Sequence, residues 1–215
     1  MGNTNDFLRQ VSIWALPVIF AIMLHEVMHG VIALRLGDDT ALRAGRLTLN
    51  PLSHIDLFGT IILPGLLLFM GMPVFGYAKP VPVNFGRLRN GRTGMMEVAA
   101  AGPLTNLLLA VLSALAMHLM MRFIPSSWGQ SVAIPAVLML QASVVINVVL
   151  AVFNLLPLLP LDGGRVVAGL LPLPAARAFA RLEPFGFLIL LVLLYTDSVE
   201  RVITPIINAI AGILL

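Results

Sequence analysis

The sequence predicts an all-α membrane protein, a polytopic helical bundle with a small membrane-associated β element and a re-entrant segment. Of its 215 residues, 59% are hydrophobic and 11% are charged, and the mean hydropathy is +0.99. Soluble domains carry about 25% charged residues, so this chain has too few polar side chains to cover a surface in water. It has no cysteine, which excludes disulfides, thiolate metal ligands and a cysteine nucleophile.

The first apolar stretch begins at Val11 and runs to Leu36 without a small-residue cleavage site. We therefore expect a retained span of about 25 residues, where about 20 suffice to cross the hydrocarbon core. Further apolar stretches cover residues 57–75, 95–123, 132–161, 185–195 and 202–215. Residues 1–215 are expected to form one integral membrane domain, with its core at roughly residues 11–195.

The stretch at residues 57–75 differs from the others because it contains helix breakers at Pro64, Gly65, Gly71 and Pro73. Lysines and arginines lie on both of its flanks, as they do in cytoplasmic loops. If the stretch enters the membrane and returns, both flanks lie on the same side. We therefore expect a re-entrant segment, although its length alone would also allow a full crossing.

Two polar connections are expected to be extended. Side chains alternate in Arg46–Asn50, and valines alternate with prolines in Pro80–Asn84, which suits an edge strand or a polyproline II segment. An unpaired edge could hold an extended peptide by β-augmentation, whereas a structured turn at the membrane surface is the alternative. The 13 lysines and arginines are spread over the loops, so no nucleic-acid partner is expected.

The motif His25-Glu26-Val27-Met28-His29 has the form HExxH and lies within the first span. His25 and His29 share one face of a helix and can bind one zinc ion at about 2.0–2.1 Å. Glu26 can reach the attacking water as a general base. Three ionisable groups within five residues of a membrane span are costly and rarely lack a function. The motif therefore predicts a metal centre with a catalytic base.

A catalytic zinc ion needs three protein ligands and one open position, so a third ligand must come from elsewhere. The candidates are Asp162, His54, Asp56 and His118. His118 is expected at the outer membrane interface, and a capping or turn role at the membrane surface is expected for His54 and Asp56.

Asp162 follows two prolines that unwind a helix and precedes two glycines that allow close backbone approach. Its alternative role is the N-cap of a short helix over Gly163–Leu170. Depth favours the ligand role, because His29 lies roughly 10 Å of helix from the cytoplasmic end at Leu36. An unwound segment near that end could bring Asp162 to a similar depth.

Three motifs in this order resemble the site-2 protease family of intramembrane zinc metalloproteases, in particular its compact prokaryotic members without a PDZ domain. The motifs are HExxH in the first span, Ala101–Asn106 in a middle span, and Asn154–Gly164. Residues 50–60 and 77–84 add to the likeness, which covers roughly residues 15–195.

The resemblance implies one zinc ion per chain on His25, His29 and Asp162, with Glu26 as the general base. It also implies a contact with the substrate or the transition state for Asn154. The Gly102-Pro103 pair would permit close approach of two helices. Asn106 would bond across helices and is a second candidate for contact with the substrate.

The function that the resemblance implies is an endopeptidase in a prokaryotic plasma membrane that cleaves transmembrane segments of other proteins in the lipid bilayer. The alternative is a metal-binding membrane protein or a divalent metal transporter, which Glu26 disfavours because transport needs no general base. A serine protease lacks its GxSxG motif here, and an aspartyl protease would need a partner for Asp162. Substrate identity and oligomeric state stay open.

Overall fold

The computed structural model describes residues 2–70, 76–123 and 130–215, and these ranges are predominantly helical. Short helical turns at Pro51–His54, Leu57–Ile62 and Phe85–Arg87 lie in the long connection between the first two long helices. The α-helices in chain order are α1 (Gly2–Arg35), α2 (Thr40–Arg43), α3 (Leu63–Phe69), α4 (Gly91–Phe123), α5 (Gln130–Asn154), α6 (Asp162–Leu170), α7 (Leu173–Ala180), α8 (Glu183–Tyr195) and α9 (Ser198–Leu214).

Three helices, α1, α4 and α5, are long and apolar enough to cross a membrane. The pair α7 and α8 is bent by 64° and would make a fourth span if it crosses as one broken helix. The prediction of a multi-pass helical membrane protein is therefore confirmed. The predicted span at 132–161 ends earlier, at Asn154, because Pro157 and Pro160 cannot donate the backbone hydrogen bonds that a helix needs.

The centre of the bundle is built from small side chains. Ala110 and Ala114 of α4 are buried together with three valines of α5, and isoleucines of α9 pack against this cluster. Small residues let helix backbones approach closely, which is the main source of helix association within lipid. As a result α1, α4 and α5 all contact one another.

The connection from α1 to α4 begins and ends at the same end of the bundle. The N–H of Arg89 donates to the carbonyl of Leu36 at 2.9 Å, and the N–H of Asn84 donates to buried Asp38 at 2.6 Å. Burial raises the pKa of the Asp38 carboxyl, but hydrogen bonds from Thr40 and Asn84 outweigh it and hold that pKa below its usual range. The ionised carboxylate of Asp38 therefore connects the segment that follows α1 to the segment that precedes α4.

The two flanks of the predicted re-entrant segment also meet. The N–H of Tyr77 donates to the carbonyl of Gly59 at 3.0 Å, and the Thr60 hydroxyl donates to the carbonyl of Tyr77 at 3.0 Å. A side chain at Gly59 would overlap the Tyr77 ring, so only glycine fits this contact. Residues 71–75 of the segment lie outside the described residues.

The small β element is absent from the described residues. Arg46–Asn50 turns instead of extending, and the Asn50 side chain caps the helical turn that follows by accepting the N–H of Leu52 at 3.1 Å. Pro80–Asn84 has no strand partner, because its neighbours are side chains. The N–H of Val81 donates to Glu26 at 2.8 Å. The alternation of valines and prolines therefore correctly indicated an extended segment at residues 80–84, but this segment lacks the inter-strand hydrogen bonds that would make it part of a sheet.

Candidate metal centre

His25, His29 and Asp162 meet at one point between α1 and α6. Nε2 of His25 lies 3.1 Å, and Nε2 of His29 lies 3.3 Å, from Oδ2 of Asp162. One ligand atom from each residue lies within 4.8 Å of the others, and in the described part of the chain no second group of three such residues forms. The structure thus brings together the three residues that the motifs predict as zinc ligands.

Glycines at two places allow this approach. A Cβ atom on Gly102 of α4 would lie 2.5 Å from Nε2 of both His25 and His29, so α4 can cross α1 here only without a side chain. Side chains at Gly163 and Gly164 would overlap the backbone of the Leu155–Leu159 turn. The expected close helix approach at Gly102 is therefore present, and the start of α6 is pressed against the end of α5.

The hydrogen bonds of the two histidines determine which ring nitrogen is free. Nδ1 of His25 lies 2.6 Å from Oδ1 of Asn106, and Nδ1 of His29 lies 2.7 Å from the carbonyl oxygen of Val98. Both partners accept, so each ring carries a proton on Nδ1, and Nε2 is the nitrogen left for a metal ion. Each Nε2 faces Asp162.

Oδ2 of Asp162 is buried and accepts no hydrogen bond. It faces Nε2 of His25 and of His29, so three possible ligand atoms converge. Buried acceptors are normally paired, and a cation bound between these atoms would pair this oxygen. Two imidazoles and one carboxylate are a ligand set of catalytic zinc sites, so the residues present fit zinc.

The remaining candidates for the third ligand lie elsewhere. Asp56 caps a helical turn by accepting the N–H of Gly59 at 2.7 Å, which confirms its expected role. His54 is buried, with Nε2 3.0 Å from the carbonyl oxygen of Thr48, and ends the helical turn Pro51–His54, in line with its expected turn role. The ring of the exposed His118 contacts its own helix.

Asp162 does not act as an N-cap. It is the first residue of α6, while Leu161 occupies the capping position and makes no side-chain capping bond. The Asp162 carboxylate lies beside His25 and His29. The sequence leaves two roles open for Asp162, a helix N-cap and a metal ligand. The position of Asp162 in the structure is compatible with the ligand role and not with the N-cap role.

A cavity of about 290 Å³ opens beside the three residues. Glu26 and Asn154 both line it, and Oε2 of Glu26 accepts the Val81 N–H. Asn106 is fully buried behind His25 and is absent from the cavity wall. It bonds across helices as expected, but it does not lie where a substrate could touch it.

Arg165, one turn after Asp162, also lines the cavity and was not singled out by the sequence. Its guanidinium lies 5.0 Å from the centre of the Phe85 ring and 3.4 Å from a carboxylate oxygen of Glu183. In the sequence Arg165 cannot be distinguished from the other arginines expected in cytoplasmic loops. The one signal that could have identified it is its position three residues after Asp162, because residues three apart lie on the same face of a helix.

Replacing Gly102 by alanine is expected to displace both histidine rings, because the new methyl group would occupy their contact with α4. We expect zinc affinity to fall by at least about tenfold and cleavage by about 100-fold, since a displacement of 1 Å has that effect on catalysis. Zinc competition and peptide cleavage measure the two losses. Gly212→Ala is the matched control, because a methyl group there meets open space within a helix. Unchanged zinc affinity in Gly102→Ala would contradict the packing described here.

Comparison with known proteins gives matches over most of the chain. The model of Peptidase family M50 matches residues 119–195. The chain is 38% identical to "Putative zinc metalloprotease YwhC" of Bacillus subtilis, over 90% of this chain and 85% of that protein. It is 31% identical to "Putative zinc metalloprotease Rip2" of Mycolicibacterium smegmatis, over 94% of this chain and 72% of that protein. No solved structure matches the chain significantly.

Proposed function

Because the chain belongs to peptidase family M50, the site-2 protease family of intramembrane zinc metalloproteases, we propose that His25, His29 and Asp162 hold its zinc ion and that Glu26 is its general base. The observation that carries this proposal is the convergence of two Nε2 atoms and one buried carboxylate oxygen beside Glu26. Such a group can bind a divalent cation, and the cavity lies beside it.

When bound, zinc polarises the scissile carbonyl group and makes the attacking water more acidic. Glu26 takes a proton from that water and returns it to the leaving amine. Its Oε2 accepts the Val81 N–H, which orients the carboxylate for this transfer. The Val81 bond also holds the cavity wall at a fixed distance from the base.

Asn154 is the residue that we assign to contact with the substrate. One hydrogen of its Nδ2 donates to the carbonyl of Leu150 at 2.9 Å, which holds the amide in place on the cavity wall. The second hydrogen of the same nitrogen is suited to the oxygen of a scissile peptide. Asn106 supports catalysis from behind His25 and not by contact with the substrate.

The substrates of this family are membrane proteins within a bilayer. A helical segment satisfies all its backbone hydrogen bonds internally, so its amide bonds must unwind before one can enter the cavity. A transporter, the alternative from the sequence, is not favoured, because transport requires successive sites and in the described ranges His25, His29 and Asp162 form a single cluster.

Residues 57–75 enter the membrane and return to the same side in our proposed topology. Two contacts support it: the Leu36–Arg89 bond joins the ends of α1 and α4, and the Gly59–Tyr77 bond joins the flanks of the segment. The excess of lysine and arginine in this connection makes that side cytoplasmic. We place the chain in the plasma membrane of a prokaryotic cell, because the relatives named above are bacterial proteins.

Single cysteines test this topology, since the chain has none of its own. We expect exposed Ala44→Cys and Asn90→Cys to be protected from a membrane-impermeant thiol reagent in intact cells and labelled after permeabilisation. Arg122→Cys, at the opposite end of α4, should be labelled in intact cells. If only one of the first two positions is labelled, the segment crosses the membrane and the proposed topology is wrong.

The proposed activity is tested with the full chain reconstituted in liposomes with a panel of single-span membrane proteins. We expect cleavage within the membrane segment of at least one of them. Removing the metal with a chelator should lower cleavage by at least about 100-fold, and added zinc should restore it, because the acidified water is lost with the metal. Cleavage that persists after the metal is removed would exclude a metalloprotease.

A further inference from the structure

A row of buried polar side chains leads from His25 away from the cavity and into the apolar bundle. Asn106 of α4 contacts His25, Asn147 of α5 contacts Asn106, and Asn147 in turn contacts Ser143. Both asparagines are at most 1% exposed. Polar side chains in a membrane span are costly and mark functional positions. The proposed mechanism uses Asn106 but gives no role to Asn147.

All polar atoms of the Asn106 amide are engaged. Its Nδ2 donates one hydrogen to the carbonyl of Ala21 at 3.2 Å and the other to Oδ1 of Asn147 at 2.8 Å. An amide nitrogen has two hydrogens, so neither remains. The oxygen is then the atom that faces Nδ1 of His25, at 2.6 Å.

The opposite orientation of the Asn106 amide would have a chemical consequence at the metal centre. Its Nδ2 would face Nδ1 of His25, and the ring would have to accept there and carry its proton on Nε2. Nε2 is the atom that faces Asp162 and the zinc position. A histidine protonated on Nε2 has no lone pair there for a metal ion.

Asn147 itself has one orientation. Its Nδ2 donates to the carbonyl and to the hydroxyl oxygen of Ser143, at 2.8 and 3.2 Å, and the Ser143 hydroxyl lies 2.8 Å from that of Ser113. With both hydrogens used, the oxygen of Asn147 must face Asn106. The orientation is therefore transmitted from Ser143 through two amides to the ring of His25.

We propose that Asn147 is a positioning residue for the zinc ligand His25. Through Asn106 it holds that ring in the form that is protonated on Nδ1, and it thereby raises the affinity for zinc without contact with the metal or the substrate. This inference rests on the proposed role of His25 as a ligand. The competing possibility is an interhelical bond that only joins α4 to α5.

The test measures zinc affinity of the full-length protein by competition with a chelator. We expect Asn147→Leu, which is similar in size but apolar, to weaken zinc binding about 10- to 100-fold, the range for lost partners of a metal-bound histidine. Asn147→Ala should do the same. Asn147→Asp should stay within about threefold of the original affinity, because a carboxyl oxygen still accepts from Nδ2 of Asn106. Val148→Ala, a fully buried neighbour on α5, controls for lost packing.

Two further measurements separate positioning from stability. In cobalt-substituted protein, Asn147→Leu should change the visible absorption that reports on ligand geometry, whereas Val148→Ala should lower only the melting temperature. A double variant provides the second measurement. In Asn106→Asp, the carboxyl group accepts from Nδ1 of His25 whichever of its oxygens faces the ring, so it does not need Asn147 to orient it. Adding Asn147→Leu to this variant should therefore have little further effect on zinc affinity.

Zinc affinity and a cobalt spectrum that stay unchanged in both Asn147→Leu and Asn147→Ala would overturn the inference and leave an interhelical bond. His25→Ala in the same assay separates this failure from that of the proposed function. If His25→Ala keeps full zinc affinity, the ligand set itself is wrong. If only His25→Ala loses zinc and the Asn147 variants do not, the ligand stands and the positioning role falls.

Discussion

Replacing Glu26 by glutamine is expected to abolish cleavage while zinc stays bound. Glutamine has nearly the same size, and its side-chain oxygen can still accept the Val81 N–H. It cannot take up a proton at neutral pH, so the loss falls on the proton transfer. General bases contribute about 100- to 10,000-fold, and we expect a loss in this range or larger. Cleavage of a membrane-embedded substrate and zinc content per chain are measured on the same preparation.

The control for Glu26→Gln is Glu97→Gln, which removes the only other glutamate of the first two long spans. It should keep both zinc and activity, because Glu97 does not line the cavity. Cleavage by Glu26→Gln at close to the original rate would remove Glu26 from the mechanism. Zinc lost together with activity would instead make it a contributor to metal binding.

The second large effect is expected when a proposed ligand is removed. His25→Ala, His29→Ala and Asp162→Ala should each lower zinc content from about one ion per chain to a small fraction, because two protein ligands do not make a stable catalytic site. Asp162→Asn is the sharper variant, since it keeps the size of the side chain and removes the charge. Elemental analysis of purified protein measures the loss, and cleavage should disappear with it.

His118→Ala is the matched control for the ligand variants, because this histidine is exposed at the far end of α4. It should keep a full complement of zinc. His54→Ala should keep zinc as well, although this side chain is buried. Full zinc content in Asp162→Ala combined with lost zinc in His54→Ala would refute Asp162 as the third ligand.

The features that were predictable from the sequence depend on local periodicity and length. The spacing of His25 and His29 places both on one helix face wherever that helix lies. Three long apolar stretches have the length that a bilayer requires and became α1, α4 and α5. That Asp162 comes close to the histidines was predictable, because two prolines end the helix before it and two glycines after it allow close backbone approach.

The features that were not predictable depend on contacts between distant segments. Asn147 is one polar residue in an apolar span, and nothing local shows that it meets Asn106, 41 residues away in the chain. The extended residues 80–84 looked like an edge strand, because a sequence pattern reports extension but not the partner. Their partner at Val81 is a side chain of α1.

The extended segment that begins at Tyr77 has two unlike sides. Tyr77, Lys79 and Val81 donate their N–H groups to Gly59, His54 and Glu26 respectively. In an extended chain the residues that alternate with these three face the opposite side, and they include Pro80 and, after Val81, Pro82, which have no N–H. A strand from a second molecule would find few donors there and could not form a full ladder. The segment is thus protected against edge-to-edge aggregation by the same means that natural sheets use at their borders.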